Sequence, residues 1–233
     1  MNNFMFFFIY FIIMKKLHFI AHRGLSSNNC PENSSLSVKN AINNHFSFIE
    51  LDIQTSSDNQ IVIYHDLFIN NLLVHDLTAS QLKQYGIITV NELFQIDDIS
   101  NIKIIFDLKG KNSIDILLLN FLYTLPSSII NNIYISSFDF EHIRFLSQYR
   151  RLNLGLITSN KFLTSQLLIF IKDFNLSFIS ISYDALTDEV VDLCKRNHTL
   201  IFTFTSKNNF DLKYIHNFSV DGVFTDMNLN DII

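Results

Sequence analysis

Four short motifs between His22 and Asp66 bring together two histidines, four carboxylates and an arginine: His22, Arg23, Glu32, Glu50, Asp52, His65 and Asp66. That combination suits metal-assisted hydrolysis of a phosphodiester. Carboxylate oxygens hold a hard divalent cation, imidazoles carry protons near neutral pH, and a guanidinium grips a phosphate. Most of these residues stand at or near the end of an apolar run. Ile20-Ala21 leads into His22-Arg23-Gly24, and Ile61-Val62-Ile63-Tyr64 leads into His65-Asp66. Glu50 and Asp52 are two apart in a strand-like run, so both point to one face; Asp107 and Lys109 repeat that spacing.

Each piece alone has a plainer reading. A single histidine in a strand is more often a satisfied core residue, Glu-x-Asp a solvated edge, and Asp-x-Lys a surface ion pair worth little. Ile49, Leu51 and Ile53 weigh against those readings. They give the Glu50–Asp52 run one strongly apolar face, so its carboxylate face must point somewhere polar and enclosed.

The elements that would position these groups form a regular series. Apolar runs at 17–21, 46–53, 102–108, 133–138, 152–158, 178–183, 200–205 and 220–225 read as strands. Stretches at 35–43, 113–122, 140–149, 162–174, 188–196 and 210–215 read as helices. Continuous apolar strands alternating with helices indicate a parallel sheet in an α/β fold. Eight such units predict a single closed (β/α)8 barrel, in which strand C-termini converge on the site. A doubly wound open sheet is the alternative, though Arg23-Gly24-Leu25-Ser26 matches no glycine-rich dinucleotide or phosphate loop. In a barrel, Glu50, Asp52 and Asp107 come together, and their repulsion calls for a cation between them: one Mg²⁺ or Ca²⁺ for an all-oxygen set.

One connection breaks the rhythm. The chain from Asp52 to Gln60 is too short for a helical crossover, so residues 61–64 return as a hairpin excursion after the second strand. A two-residue turn at Asp58-Asn59 would set Ser57 opposite Gln60 and Asp52 opposite His65.

Bulk properties set the limits. A chain of 233 residues, 48% hydrophobic with mean hydropathy +0.22, can bury one large core. No linker or repeat divides it, so residues 14–233 read as one barrel domain. A net charge of −5 argues against a nucleic-acid surface. Cys30 and Cys194 have no metal-type spacing and read as free thiols of a cytoplasmic protein. Residues 1–13 form an apolar extension, about half the ~20 residues a spanning helix needs. Membrane contact through it and an alternative start at Met14 are both open.

The chain resembles the glycerophosphodiester phosphodiesterases, within the phospholipase-C-like phosphodiesterase barrels. The resemblance runs from about Lys16 to the C-terminus. It is carried by Ile20-Ala21-His22-Arg23-Gly24, Pro31-Glu32-Asn33-Ser34, Glu50-Leu51-Asp52, Asp58-Asn59 and Val62-Ile63-Tyr64-His65-Asp66. Weaker matches follow in order at Asp107-Leu108-Lys109, Ser136-Ser137-Phe138 and Val220-Asp221-Gly222-Val223-Phe224-Thr225-Asp226.

The resemblance implies hydrolysis of glycerophosphodiesters to sn-glycerol 3-phosphate and an alcohol. It implies His22 and His65 as the acid/base pair, and Glu50, Asp52 and Asp107 as metal ligands. Arg23 and Lys109 would contact the phosphate, Phe138 would line the cleft, and Glu32 and Asn33 would brace the site, with Glu32 on a histidine or the metal. A lysophospholipase D-type activity on lipids, or a silent barrel acting as a binding protein, are the rival readings. The chain departs from the family pattern at Asp107 (usually Glu), at Asn59 (usually Gly), and at Phe202 and Thr205, where Trp and Asn are usual. The segment after Asp66 is also short.

Overall fold

The computed structural model of the chain describes residues 17–110, 113–149, 152–161 and 163–232. The apolar extension and the Met14 question lie outside them. Eight parallel strands form the barrel: β1 (His18–Ala21), β2 (Phe48–Thr55), β6 (Lys103–Leu108), β7 (Ile133–Ser137), β8 (Asn153–Thr158), β9 (Phe178–Ser182), β10 (Leu200–Ser206) and β11 (Gly222–Thr225). β1 pairs with β11 on one side and β2 on the other, so the sheet closes and the open-sheet alternative falls. The excursion after β2 supplies β3 (Ile61–Ile63), antiparallel to β2, then a small hairpin of β4 (Phe68–Ile69) and β5 (Leu72–Leu73).

Helices follow the strands as the periodicity predicts. They are α1 (Ser35–Asn43), α2 (Ala79–Lys83), α3 (Val90–Leu93), α4 (Ser113–Tyr123), α5 (Ser127–Ile130), α6 (Phe140–Leu146), α7 (Thr164–Asp173), α8 (Asp188–Arg196) and α9 (Asn209–Ile215). α1 begins where it does because Ser34 caps it and Ser37 returns the bond to the Ser34 N–H. Among the described residues, no helix is long and apolar enough to cross a membrane.

Strand alternation sorts side chains into two cores. Ile49, Leu51 and Ile53 face outward and pack with Val38, Leu118 and Ile143 of the surrounding helices. The opposite parity puts Phe48 inside the barrel with Ile20, Ile105, Phe178, Phe202 and Phe224. The Phe48 ring lies 5.5 Å from that of Phe202 and 5.2 Å from that of Tyr134, edge to face. Contacts between such non-adjacent strands are possible only across the interior. Gly155 makes room for this floor, since a Cβ there would stand 2.4 Å from the Phe178 ring. Aromatic rings therefore plug the lower barrel and leave the polar residues of the same strand faces at its upper mouth.

The hairpin register differs from the two-residue expectation. Ile53 faces Ile63, and Thr55 faces Ile61. Asp52 is consequently opposite Tyr64, whose N–H donates to the Asp52 carbonyl (2.9 Å), rather than opposite His65. The loop has three residues, 57–59, closed by the Ser56 N–H donating to the Gln60 carbonyl at 3.0 Å. Asn59 alone takes positive φ (57°), as a three-residue loop requires, whereas the favoured two-residue turn needs it at two positions. Ser56 Oγ fixes this shape by bonding Asp58 Oδ1 (2.6 Å).

Candidate active site

At the end of β1 the chain turns sharply. Arg23 and Gly24 both adopt positive φ, 56° and 76°. The turn aims the Arg23 N–H at Glu50 Oε2 (2.9 Å). A Cβ on Gly24 would stand 2.4 Å from Ser37 Oγ, so only glycine lets this turn sit against α1. Ser37 Oγ in turn donates to the Arg23 carbonyl at 3.1 Å.

The Pro31-Glu32-Asn33-Ser34 segment braces the turn. Asn33, also at positive φ (53°), donates from Nδ2 to Asp52 Oδ2 (2.8 Å) and accepts from the Asp52 N–H (3.1 Å). Glu32 Oε1 accepts from Arg23 Nη1 (2.7 Å). Glu32 thus holds the arginine.

Glu50, Asp52 and Asp107 each offer a carboxylate oxygen within 4.8 Å of the others, and all three are buried. Register explains the meeting: Asp52 and Asp107 are direct neighbours across β2 and β6. Lys109 Nζ lies 2.6 Å from Asp107 Oδ2 and 3.2 Å from Asp52 Oδ1, and Arg23 Nε lies 3.1 Å from Asp52 Oδ2. Burial works against the Lys109 ammonium, but Asp107 and Asp52 outweigh it and raise its pKa.

Three carboxylates against two fixed cations leave negative charge unbalanced. Burial first, then the Asp52 charge, pushes Glu50 up to about 8, with His22 opposing. Burial pushes Asp107 to about 7 despite Lys109. Asp107 Oδ1 is buried without a hydrogen-bond partner. An all-oxygen cluster with raised pKa values and an orphaned oxygen fits a hard divalent cation, so the aspartate at position 107 still lies within reach of the cluster.

The two histidines are held alike. His22 Nδ1 is 2.8 Å from Asp226 Oδ1, and His65 Nδ1 is 2.7 Å from Asp66 Oδ1. Each ring keeps Nε2 for another partner. Burial lowers the His22 pKa, but the Asp226 hydrogen bond and nearby Glu50 more than offset it, leaving it raised. Both rings line one cleft of about 280 Å³ with Arg23, the three acids, Lys109 and Phe138. His65 therefore reaches the mouth although its register is shifted, because it lies past the end of the pairing.

Every site residue expected from the sequence is found at this mouth: most line the cleft, while Glu32 and Asn33 stand behind Arg23 and Asp52. Two partners had no role assigned. Asp226 and Asp66 anchor the histidines, and both belong to motifs already visible in the chain. Asp226 was deducible from closure, since the eighth barrel strand must lie beside the first. Phe204 and Phe224 line the cleft beside Phe138, with Thr205 next to Phe204. Phe202 points into the barrel floor. The Phe204 ring meets that of Phe138 at 6.0 Å, and Lys109 Nζ lies 5.4 Å from the Phe138 ring centre.

A closed (β/α)8 barrel with buried acids, paired imidazoles and two cations at its C-terminal mouth defines a hydrolase-like site of the phosphodiesterase-barrel type. Residues 22–228 match the glycerophosphoryl diester phosphodiesterase family, and the chain belongs to it. It is 25% identical to a glycerophosphodiester phosphodiesterase of Caldanaerobacter subterraneus, over 89% of this chain and 93% of that protein. A solved glycerophosphodiester phosphodiesterase from Parabacteroides distasonis shares the fold with TM-score 0.81 at 20% identity, covering 93% of this chain and 95% of that one. An Oleispira antarctica phosphodiesterase, solved with its product sn-glycerol-3-phosphate, superposes with TM-score 0.80 at 19% identity, covering 93% and 96%.

Proposed function

We propose that this chain hydrolyses glycerophosphodiesters to sn-glycerol 3-phosphate and an alcohol. The observation that carries the reading is the single cleft in which His22 and His65 face the Glu50–Asp52–Asp107 cluster, Arg23 and Lys109. Family membership supports the same substrate class.

Arg23 and Lys109 bind the phosphoryl oxygens and offset charge that grows toward the transition state. His22, whose pKa Asp226 helps to raise, enters protonated and gives its proton to the leaving oxygen. His65 takes the proton of the nucleophile, either water, which gives glycerol 3-phosphate directly, or the adjacent glycerol hydroxyl, which expels the alcohol and leaves a cyclic phosphate that water then opens, with the imidazoles exchanging roles. Glu50, Asp52 and Asp107 would hold one Mg²⁺ or Ca²⁺, which when bound supplies Lewis-acid stabilisation of phosphoryl charge. Phe138 and Phe204 wall the cleft on its apolar side.

The test is release of glycerol 3-phosphate from glycerophosphocholine by purified protein, with and without added cation. Absence of turnover under all conditions would remove the reading and favour a binding protein. Accumulation of a cyclic phosphate identifies the hydroxyl as nucleophile; retained turnover of a substrate analogue that lacks the adjacent hydroxyl identifies water.

One observation favours a second reading, a lysophospholipase D-type activity. Phe138, Leu67 and Phe68 each expose about half their surface, the first at the cleft and the others just after His65-Asp66 in sequence. Comparing turnover of lysophosphatidylcholine and glycerophosphocholine separates the two.

A further inference from the structure

The antiparallel ladder of β2 and β3 stops just short of His65. The Tyr64 N–H donates to the Asp52 carbonyl (2.9 Å), and a continuing ladder would return the Asp52 N–H to the Tyr64 carbonyl. That N–H donates to Asn33 Oδ1 instead (3.1 Å). Two residues on, the Glu50 carbonyl that would accept from Asp66 is taken by the Gly24 N–H (3.2 Å). Among the described residues, His65 and Asp66 make no backbone-to-backbone hydrogen bond. The next such tie is the Leu67 carbonyl, which accepts from the Val74 N–H at 3.0 Å.

Gln54 fills the gap. It lies on β2 opposite Val62, buried at 3% exposure, and shares the strand parity of Glu50 and Asp52. Its Nε2 donates to the Tyr64 carbonyl and to the Asp66 carbonyl, each at 2.8 Å. A side-chain amide has two N–H groups, and this one uses both on the carbonyls that flank His65. Asp66, whose carbonyl is held, also places its Oδ1 2.7 Å from His65 Nδ1. One buried side chain therefore fixes both the backbone of the histidine and the residue that orients its ring. It does so from the strand that supplies two of the three acids, so His65 and the acidic cluster share one frame. The His65 and Asp66 side chains are 36% and 68% exposed. Water could satisfy the carbonyls of so open a segment, so satisfying them does not by itself call for a buried amide.

We propose that Gln54 is a positioning residue for the proposed reaction, holding the 64–66 segment so that the His65 ring faces the acidic cluster across the cleft. The inference rests on the base role given to His65 above, and its test separates the two.

The experiment uses Gln54→Met, which keeps the side-chain length and removes both donors. It measures kcat and KM for glycerophosphocholine below the melting transition of every variant. We expect kcat to fall about tenfold or more with KM changed less than twofold, since a misplacement of about 1 Å can cost ~10²-fold. In a His65→Ala background the same substitution is expected to change kcat less than twofold, because the group it positions is gone. Equal fold-losses in the two backgrounds, or full kcat in Gln54→Met, would overturn the proposal. Gln54→Asn keeps the amide but withdraws it by one carbon–carbon bond, ~1.5 Å. It is expected to reproduce the loss of kcat, and it serves if the methionine variant does not fold. Backbone order parameters from NMR relaxation need no turnover. In either variant they are expected to drop at His65 and Asp66 from the rigid range to below about 0.6, while those at Arg23 and Gly24 hold. Unchanged order at His65 overturns the clamp whatever the activity. Lost order there, in a chain whose wild type hydrolyses no glycerophosphodiester, upholds the clamp and sinks only the functional reading.

Discussion

His22 and Asp226 are 204 positions apart in the chain and 2.8 Å apart in space. The contact exists because β1 and β11 are neighbours at the seam of the closed barrel, with Ala21 beside Thr225. Asp226→Asn is expected to cost on the order of tenfold to a hundredfold in kcat/KM, as loss of an orienting partner commonly does. The bond raises the His22 pKa, and the proposed mechanism uses His22 protonated, so activity is expected to fall as pH climbs through that value. The variant's high-pH limb therefore moves to lower pH, which a pH–rate profile reads directly.

Single replacement of either cleft histidine by alanine is expected to lower kcat by about 10²–10⁴-fold, the usual contribution of a positioned acid or base. Both side chains are partly exposed, 25% for His22 and 36% for His65. Neither change should cost much stability. Near wild-type turnover in His22→Ala or His65→Ala would remove that residue from the mechanism.

The acidic cluster predicts a crossing of stabilities. Without a cation, Glu50 is buried beside Asp52 and Asp107, and ionising it is unfavourable. Glu50→Gln is expected to melt higher than wild type in excess EDTA, most visibly above pH 8, where the wild-type carboxyl loses its proton. With Mg²⁺ or Ca²⁺ added, the wild type gains Tm by ligand linkage and the variant gains little. Thermal melts across pH, with chelator and with cation, check both halves. Activity surviving thorough chelation would end the metal assignment.

Gly155→Ala is expected to destabilise the barrel by about 1–3 kcal/mol, the usual cost of overpacking a filled core. The new methyl would stand 2.4 Å from the Phe178 ring, itself in contact with Phe202 at 5.3 Å. Denaturant titration measures the loss. A variant as stable as wild type would mean that the ring floor is looser than its contacts indicate.

His142 sets a pH dependence of stability. Burial lowers its pKa, but the Asp115 hydrogen bond, the Asp115 and Asp139 charges and the Gly110 carbonyl leave it raised above 6.5. A group whose folded value is raised contributes fully below its unfolded pKa and loses that contribution as pH rises through the folded value. The Tm gap between wild type and His142→Leu is therefore widest near pH 5–6, around and below the ordinary histidine value, and narrows on the alkaline side. A gap independent of pH would show that the ring is not charged in the folded protein.

Much of this was legible without coordinates because its signals are local. Strand and helix bounds follow from hydrophobic periodicity: 35–43 and 188–196 were read as helices and α1 and α8 occupy those spans. The pairing of Glu50 with Asp52 on one face follows from the two-residue repeat of a strand. The hairpin register was not legible. Asp58-Asn59 is compatible with loops of two or three residues, and the choice rests on Ser56 bonding Asp58 and closing the longer loop. That Phe204 lines the cleft while Phe202 fills the floor was not legible either. Residues of one parity on β10 all point inward, and depth along the barrel axis decides which of them is floor and which is wall.

The amino-acid order by itself determined which groups are available and which face of each element they occupy, since both depend on residue type and on the fixed repeats of strand and helix. Distances across the barrel were decided only by tertiary structure. Strand stagger, closure of β1 on β11 and the filling of the floor by rings bring Asp226 to His22 and Asp107 to Asp52. They depend on packing between segments far apart in the chain, which no local pattern encodes.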